Sequence, residues 1–152
     1  MAMNILRGET EIAINGLAVA CLEAADIHES AAHACAEPTL QRKLEDLARS
    51  RRRASEMLAA FLAEQYGGPN WPEQERELLK KAATRIKSAL SPDGTASLLS
   101  DCLAEEVRVR DAASAASDQE VPGTVQARIA ELRRDAEAQI SWLEGFMPGG
   151  QG

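Results

Sequence analysis

The sequence predicts an all-α fold in which four long helices pack as a bundle. Four stretches repeat apolar residues at steps of three and four, which places those residues on one face of a helix. No stretch shows the pattern of a β-strand. One polar residue interrupts each apolar face at about the same depth, and the four are His28, Arg51, Glu106 and Gln139. In the first stretch the repeat is Ile14, Leu17, Cys21, Ala24, His28, Ala31 and Cys35, and all of these residues except His28 are apolar.

The first two helices are separated by a very short link. We expect a flexible leader over residues 1–8 and a first helix over 9–36, which ends before Pro38 because a residue preceding proline disfavours helical geometry. The second helix is predicted over 38–66, since Pro38 suits a first turn and the run Gly67-Gly68-Pro69 follows its end. Such a short link makes the two helices antiparallel neighbours.

Three more helices are predicted, over 72–90, 95–117 and 124–146, before a flexible tail over 147–152. The helix over 72–90 would be about 28 Å long at 1.5 Å per residue. It is therefore long enough to return the chain along the bundle, so that the helices over 38–66 and 95–117 run parallel. Two antiparallel hairpins joined by a long crossover form the ferritin-like arrangement.

Length and charge restrict the function classes. At 152 residues the chain is expected to form a single domain, and its net charge of −7 disfavours a nucleic-acid partner. No signal peptide or membrane span is recognisable, and three cysteines without a CxxC pair give neither a disulfide framework nor a zinc site. We therefore expect a cytoplasmic protein. A cluster of Arg49, Arg51, Arg52 and Arg53 is interpreted as a solvated helix face.

The four interrupting residues predict a polar layer inside the bundle. Arg51 and Glu106 could form a charge-assisted pair, with His28 and Gln139 adding hydrogen bonds. Such a layer would fix the register of an alanine-rich core without much net gain in stability. The alternative is that one apolar face is misplaced, so that Arg51 or Glu106 reaches solvent.

A dinuclear metal centre is the other use that helical bundles make of such positions. Those centres take an ExxH pair from each of two helices, and no glutamate of this chain is followed by histidine three residues later. We therefore expect no cofactor. If iron or manganese does bind, the candidate ligands are Glu23, His28, Glu106 and Glu137.

The chain resembles an uncharacterised bacterial family of ferritin-like four-helix bundles of about 150 residues. The similarity lies in AADIHESAAHACAEPTLQ (24–41), EQYGGPNWP (64–72), RIKSALS (85–91) and LLSDCLAEEVRVRDAA (98–113). The resemblance implies a ferritin-like bundle with a crossover helix and no known biochemical activity. Glu105 and Glu106 retain the family's acidic run. Ser50 or Arg51 stands where related bundles place a carboxylate or histidine, and Glu137 where the family often has histidine.

Three functions remain open from the sequence. The first is a non-enzymatic, soluble binding or stress-associated protein, and the second is an iron- or manganese-binding protein with an atypical site. The third is a regulatory adaptor whose partner, or second copy in a dimer, would bind apolar residues outside the main helix faces. Those residues are Val19, Leu22, Trp71 and Trp142.

Overall fold

A computed structural model of the chain describes residues 2–71 and 94–146, and all regular structure within these ranges is α-helical. The helices are α1 (Ala2–Ala34), α2 (Pro38–Tyr66), α3 (Gly94–Ser117) and α4 (Gly123–Phe146). The predicted all-α class with four long helices is therefore confirmed. The short helix predicted over 72–90 and the tail predicted over 147–152 lie outside the described residues.

The first helix differs from its predicted bounds at both ends. It begins at Ala2, so most of the segment predicted as a flexible leader is helical. Alanine, methionine, leucine and arginine are strong helix formers, and Gly8 costs only about 1 kcal/mol in a helix interior. At the other end the helix stops at Ala34, where the Cys35 amide bonds the Ala32 carbonyl at 3.3 Å.

The second helix has a defined cap at each end. The Glu37 carboxylate accepts hydrogen bonds from the amides of Thr39 and Leu40 at 3.1 and 2.7 Å, which satisfies two donors of the first turn. At the other end Gly67 has a φ of 89°, in the left-handed region that glycine adopts without steric cost. These caps explain why the helix begins at Pro38 and ends before Gly67.

Side-chain contacts show that α1 and α2 run in opposite directions. The Ser55 hydroxyl donates to the Ala18 carbonyl at 2.9 Å, and the Gln41 amide donates to the Ala32 carbonyl at 3.2 Å. As the residue number rises along α2, the partner's number falls along α1.

The same comparison holds for α1 and α3. Thr10 donates to Gln119, just beyond the end of α3, at 3.1 Å, whereas His28 contacts Glu106 within α3 at 2.8 Å. Helices α2 and α3 are each antiparallel to α1 and therefore run in the same direction as one another.

Helix packing leaves one side of the bundle open. Helix α1 packs closely against α2 and α3, and α3 packs closely against α4. Helices α2 and α4 make no comparable contact with each other. The close contacts therefore follow the order α2, α1, α3, α4, and a groove separates the two outer members.

The buried apolar residues form two clusters at different levels of the bundle. One includes Ile14, Leu17, Ala18, Cys21, Ala24, Leu58, Phe61, Leu62, Val109, Ala113, Ala116, Ile129, Leu132 and Ala136. The other includes Ile27, Ala31, Ala32, Cys35, Leu40, Leu44, Leu98, Leu99, Cys102 and Leu143. No described helix combines the length and apolarity that crossing a bilayer requires.

The Glu37 cap predicts a measurable loss of stability. Replacing Glu37 with alanine is expected to lower the free energy of unfolding by about 1 kcal/mol, because two amides of the first turn lose their acceptor. Urea denaturation measures the change. Glu45→Ala is the matched control, since Glu45 is an exposed residue within α2 whose side chain makes no hydrogen bond or ion pair with any described residue. Equal losses in both variants would contradict the capping role.

Candidate functional site

Three of the four predicted layer residues are fully buried and in contact. His28, Arg51 and Glu106 each have 0% of their surface exposed, and each belongs to a different helix. Along α2, Arg51 falls between Leu44 of one apolar cluster and Leu58 of the other. The polar residues therefore separate the two apolar clusters, at the middle of the bundle.

Glu106 is the acceptor at the centre of this group. Arg51 donates from Nε to Oε2 and Oε1 of Glu106 at 3.0 and 3.2 Å, and from Nη2 to Oε1 at 2.5 Å. His28 Nε2 lies 2.8 Å from Glu106 Oε2. Both carboxylate oxygens are thus occupied, in the charge-assisted geometry that gives the stronger protein hydrogen bonds.

Arg51 extends the network to the fourth helix through a residue that the sequence did not single out. Its Nη2 also donates to Oδ2 of Asp135 at 2.9 Å, and the Asp135 side chain is 44% exposed. Gln139 is half-buried and donates to Asp135 Oδ1 at 3.2 Å. Gln139 therefore joins the layer through Asp135 rather than by contacting Arg51 or Glu106.

The electrostatics favour the ionised forms of Arg51 and Glu106, which we call the central pair. Burial alone would raise the pKa of Glu106, but hydrogen bonds from His28 and Arg51 and the Arg51 charge hold that pKa below its usual range. Burial alone would lower the pKa of Arg51, yet Glu106 and Asp135 raise that pKa above its ordinary value. The pair is a salt bridge inside the bundle.

The geometry also favours one tautomer of His28. Its Nδ1 is buried and has no hydrogen-bond partner among the described residues. A proton on Nε2 lets the ring donate to Glu106 and leaves Nδ1 as an unprotonated acceptor. A proton on Nδ1 would instead bury a donor without a partner, which is costly.

A second cluster of charged side chains, formed by Glu23, Glu105 and Arg108, lies between α1 and α3. Glu105 is only 4% exposed, and Arg108 lies 2.8 Å from it and 3.6 Å from Glu23. Burial raises the pKa of Glu105 to about 7; Arg108 opposes this shift, while the charges of Glu23, Asp101 and Glu106 add to it. The sequence identified Glu105 only as part of an acidic run.

The interpretation of the basic cluster as a solvated helix face is wrong for Arg51, which is buried, and holds for Arg49 and Arg53, which are exposed. Arg49 is exposed and pairs with Asp46, whereas Arg51 is buried. Arg52 joins α2 to α1 through Asp26 at 3.1 Å and Glu29 at 2.9 Å. Arg53 is exposed and makes no ion pair with a described residue.

The open side of the bundle forms what we call the α2–α4 groove. It consists of three adjoining cavities of about 330, 200 and 420 Å³. The first and second share Lys43 and Asp46, and the second and third share Ser50 and Asp135. The lining residues are Pro38, Thr39, Arg42, Lys43, Asp46, Leu47, Ser50, Arg51, Arg53, Ala54, Met57, Arg128, Glu131, Leu132, Asp135, Gln139 and Trp142.

Of the four candidate metal ligands, His28 and Glu106 are in contact, whereas Glu23 and Glu137 have other partners. Glu137 is exposed and accepts from Arg133 at 3.2 Å, and Glu23 faces Arg108, while His28 contacts Glu106. Within residues 2–71 and 94–146, no three His, Cys, Asp or Glu side chains are grouped so as to hold a metal ion.

The three cysteines lie in the buried part of the bundle. Cys21, Cys35 and Cys102 are all buried and unpaired. Burial raises the pKa of the Cys21 thiol to about 12 and raises that of Cys102 as well. A cysteine nucleophile requires the opposite shift, toward a thiolate at neutral pH.

Comparison with known proteins adds no relative. The chain matches no family model, no curated protein and no solved structure.

Removing one partner of the central pair is predicted to cost much more than removing both charges. Arg51→Met leaves the buried Glu106 carboxylate without its cation and is expected to lower the free energy of unfolding by about 3–5 kcal/mol. The double variant Arg51→Met/Glu106→Gln should recover most of this loss, because glutamine is neutral and still accepts from His28. Urea denaturation measures all three proteins. Small and equal losses in both variants would contradict a buried salt bridge.

Glu105 predicts a pH dependence of stability. Its pKa rises from 4.5 in the unfolded chain to about 7 in the folded protein. The folded state therefore binds the proton more tightly, and the associated stability is present below pH 4.5 and is lost as the pH rises through about 7. One pKa unit corresponds to about 1.4 kcal/mol. We expect the contribution of Glu105 to the free energy of unfolding to fall by roughly 1–3 kcal/mol over this interval.

Glu105→Gln is the control for this pH dependence. Glutamine keeps the size of the side chain but does not titrate, so the difference in unfolding free energy between wild type and variant should decline from pH 4.5 to about 7. Histidine titration is common to both proteins and cancels in that difference. A difference that stays constant across the interval would contradict a protonated Glu105.

Proposed function

We propose that this chain is a ferritin-like helical bundle with a non-enzymatic binding role, in which an arginine supplies the positive charge of the interior. The helix directions support this topology, since α2 and α3 run parallel and are joined by a segment long enough to cross the bundle. Bundles of this kind place their sites in the core between facing helices. In this chain, that position holds the network of His28, Arg51 and Glu106.

The Arg51–Glu106 contact is the observation that supports the proposal most strongly. A guanidinium remains charged under all physiological conditions, and Arg51 lies between the carboxylates of Glu106 and Asp135. A divalent cation at Glu106 would have to displace this fixed charge into an apolar interior. Such a displacement is unfavourable, because a buried charge without a partner costs several kcal/mol. The arginine therefore makes metal binding at Glu106 unfavourable.

The α2–α4 groove on the surface of the bundle supports the proposed binding role. The polar layer is enclosed, whereas the α2–α4 groove is open along the bundle and is bordered by charged and aromatic side chains. Burial raises the pKa of the Cys21 and Cys102 thiols, which is the opposite of what a cysteine nucleophile requires. A buried, hydrogen-bonded interior with an open groove suits a protein that binds a partner. The alternative, an iron or manganese protein, requires the interior to bind metal.

Metal content distinguishes these two functions. Purified protein is incubated aerobically with ferrous iron and with manganese, desalted and analysed by plasma mass spectrometry. We expect background metal in wild type, because Arg51 already neutralises the Glu106 carboxylate, and in Glu106→Gln, because that carboxylate is absent. Glu45→Gln, which alters an exposed carboxylate, is the control for surface binding. Near-stoichiometric metal in wild type and in this control, absent from Glu106→Gln, would establish the metalloprotein instead.

A further inference from the structure

We infer that the α2–α4 groove binds an acidic amphipathic helix of a partner protein, an inference that rests on the binding role proposed above. The dimensions of the groove provide the first reason. On α2 its lining extends from Pro38 to Met57, a length of about 28 Å at 1.5 Å per residue. It is an open trough between two separated helices rather than an enclosed pocket, and helices commonly bind in such grooves.

The charge of the groove is opposite in sign to that of the whole chain. The protein has a net charge of −7, yet Arg42, Lys43, Arg53 and Arg128 line the groove and make no ion pair with any described residue. Glu131 is the lining carboxylate that likewise has no cationic partner among the described residues. The unpaired charges of the groove therefore favour an acidic ligand.

Apolar side chains complete the complementarity. Ala54 and Met57, which are partly exposed, line the largest of the three cavities together with the mostly buried Leu132, beside Arg53 and Arg128. Methionine adapts its shape readily and is common at surfaces that bind helices. A helix with one apolar face and glutamates on either side would place that face on these residues and its carboxylates against the two arginines.

The opposite end of the groove offers an aromatic contact. Trp142 is half-buried, stacks on Phe146 with ring centres 5.1 Å apart, and lies under the Lys43 ammonium group, which is 5.1 Å from its ring centre. Tryptophan is enriched among the residues that dominate binding energy at protein interfaces.

Two other occupants are less compatible with these residues. A nucleic-acid backbone presents a continuous row of phosphates, and the carboxylates of Asp46, Glu131 and Asp135 interrupt the cationic lining. A second copy related by two-fold symmetry would place the same excess of unpaired cations, from Arg42, Lys43, Arg53 and Arg128, on both sides of the interface, which is repulsive.

The described chain leaves the groove uncovered. Asn70, near the end of the first described range, exchanges hydrogen bonds with Asn15 of α1 at 2.8 and 3.0 Å. Asn15 does not line the groove, so at this point the chain follows the α1 side of the bundle.

A synthetic peptide tests the inference. The probe is a fluorescein-labelled helix of about 18 residues, the length that fills the groove, with a leucine and alanine face flanked by glutamates. Fluorescence anisotropy against the full chain measures its dissociation constant. In the Trp71→Phe background Trp142 is the sole tryptophan, so a change in its emission reports contact in the groove. We expect saturable binding that weakens as salt is raised.

Matched charge reversals locate the binding site. Arg53→Glu and Arg128→Glu should each weaken binding by about tenfold or more, whereas Arg133→Glu, on an exposed residue of α4 outside the groove, should change it less than about twofold. The same peptide with lysine in place of glutamate should not bind. Circular dichroism confirms that each variant remains helical.

Three results would overturn the inference. They are a failure of the acidic peptide to bind, equally strong binding of the lysine peptide, and equal effects of all three charge reversals. Light scattering that shows a wild-type dimer and a monomer in Arg53→Glu would assign the groove to a second copy. Preferential binding of vesicles containing phosphatidylserine or of single-stranded DNA, lost in the same variants, would assign it to those ligands. Each result is independent of the metal measurement, so a peptide that fails to bind leaves the assignment of the interior unchanged.

Discussion

The buried salt bridge between Arg51 and Glu106 is the interaction on which the arrangement of the helices depends. Helix α2 packs closely on α1 but not on α3 or α4. Arg51 nevertheless reaches from α2 to Glu106 on α3 and to Asp135 on α4. Its long side chain therefore joins α2 to both helices of the second half of the chain at the level between the two apolar clusters. The contact specifies which residues of the second half of the chain lie beside α2, a role in register that buried polar groups are known to serve.

The polar layer and the α2–α4 groove are consequences of the same spacing. Helices α2 and α4 do not pack closely. Between the two apolar clusters, the space that separates these helices in the interior is therefore filled by the Arg51 guanidinium rather than by interlocked apolar side chains. Asp135 belongs to both features, since it accepts from Arg51 and lines the groove. A ligand in the groove would therefore contact a residue that is bonded to the central network, although the network itself stays closed to solvent.

The sequence predicts the helices and the centre of the site because both follow from local rules. Pro38 and the glycines after Tyr66 mark the bounds of α2, and a polar residue at a helix-spaced apolar position signals burial. Asp135 was missed because it is half-exposed and lies beside the apolar repeat, so that nothing local distinguishes it from a surface carboxylate. Glu105 also lies beside the apolar repeat of its helix. Its burial was missed because burial at such a position depends on how closely α1 approaches, which the sequence of α3 does not show. The ferritin-like family remains a resemblance that no comparison tests.

Side-chain NMR of the arginines tests the buried salt bridge most directly. The Arg51 Nε–H donates to both oxygens of Glu106 and has no access to water, so its hydrogen should exchange with solvent far more slowly than that of exposed Arg53. The salt bridge predicts one strongly protected arginine Nε–H signal near neutral pH, absent in Arg51→Lys. Arginine Nε–H signals that all exchange at the rate of exposed side chains would contradict it.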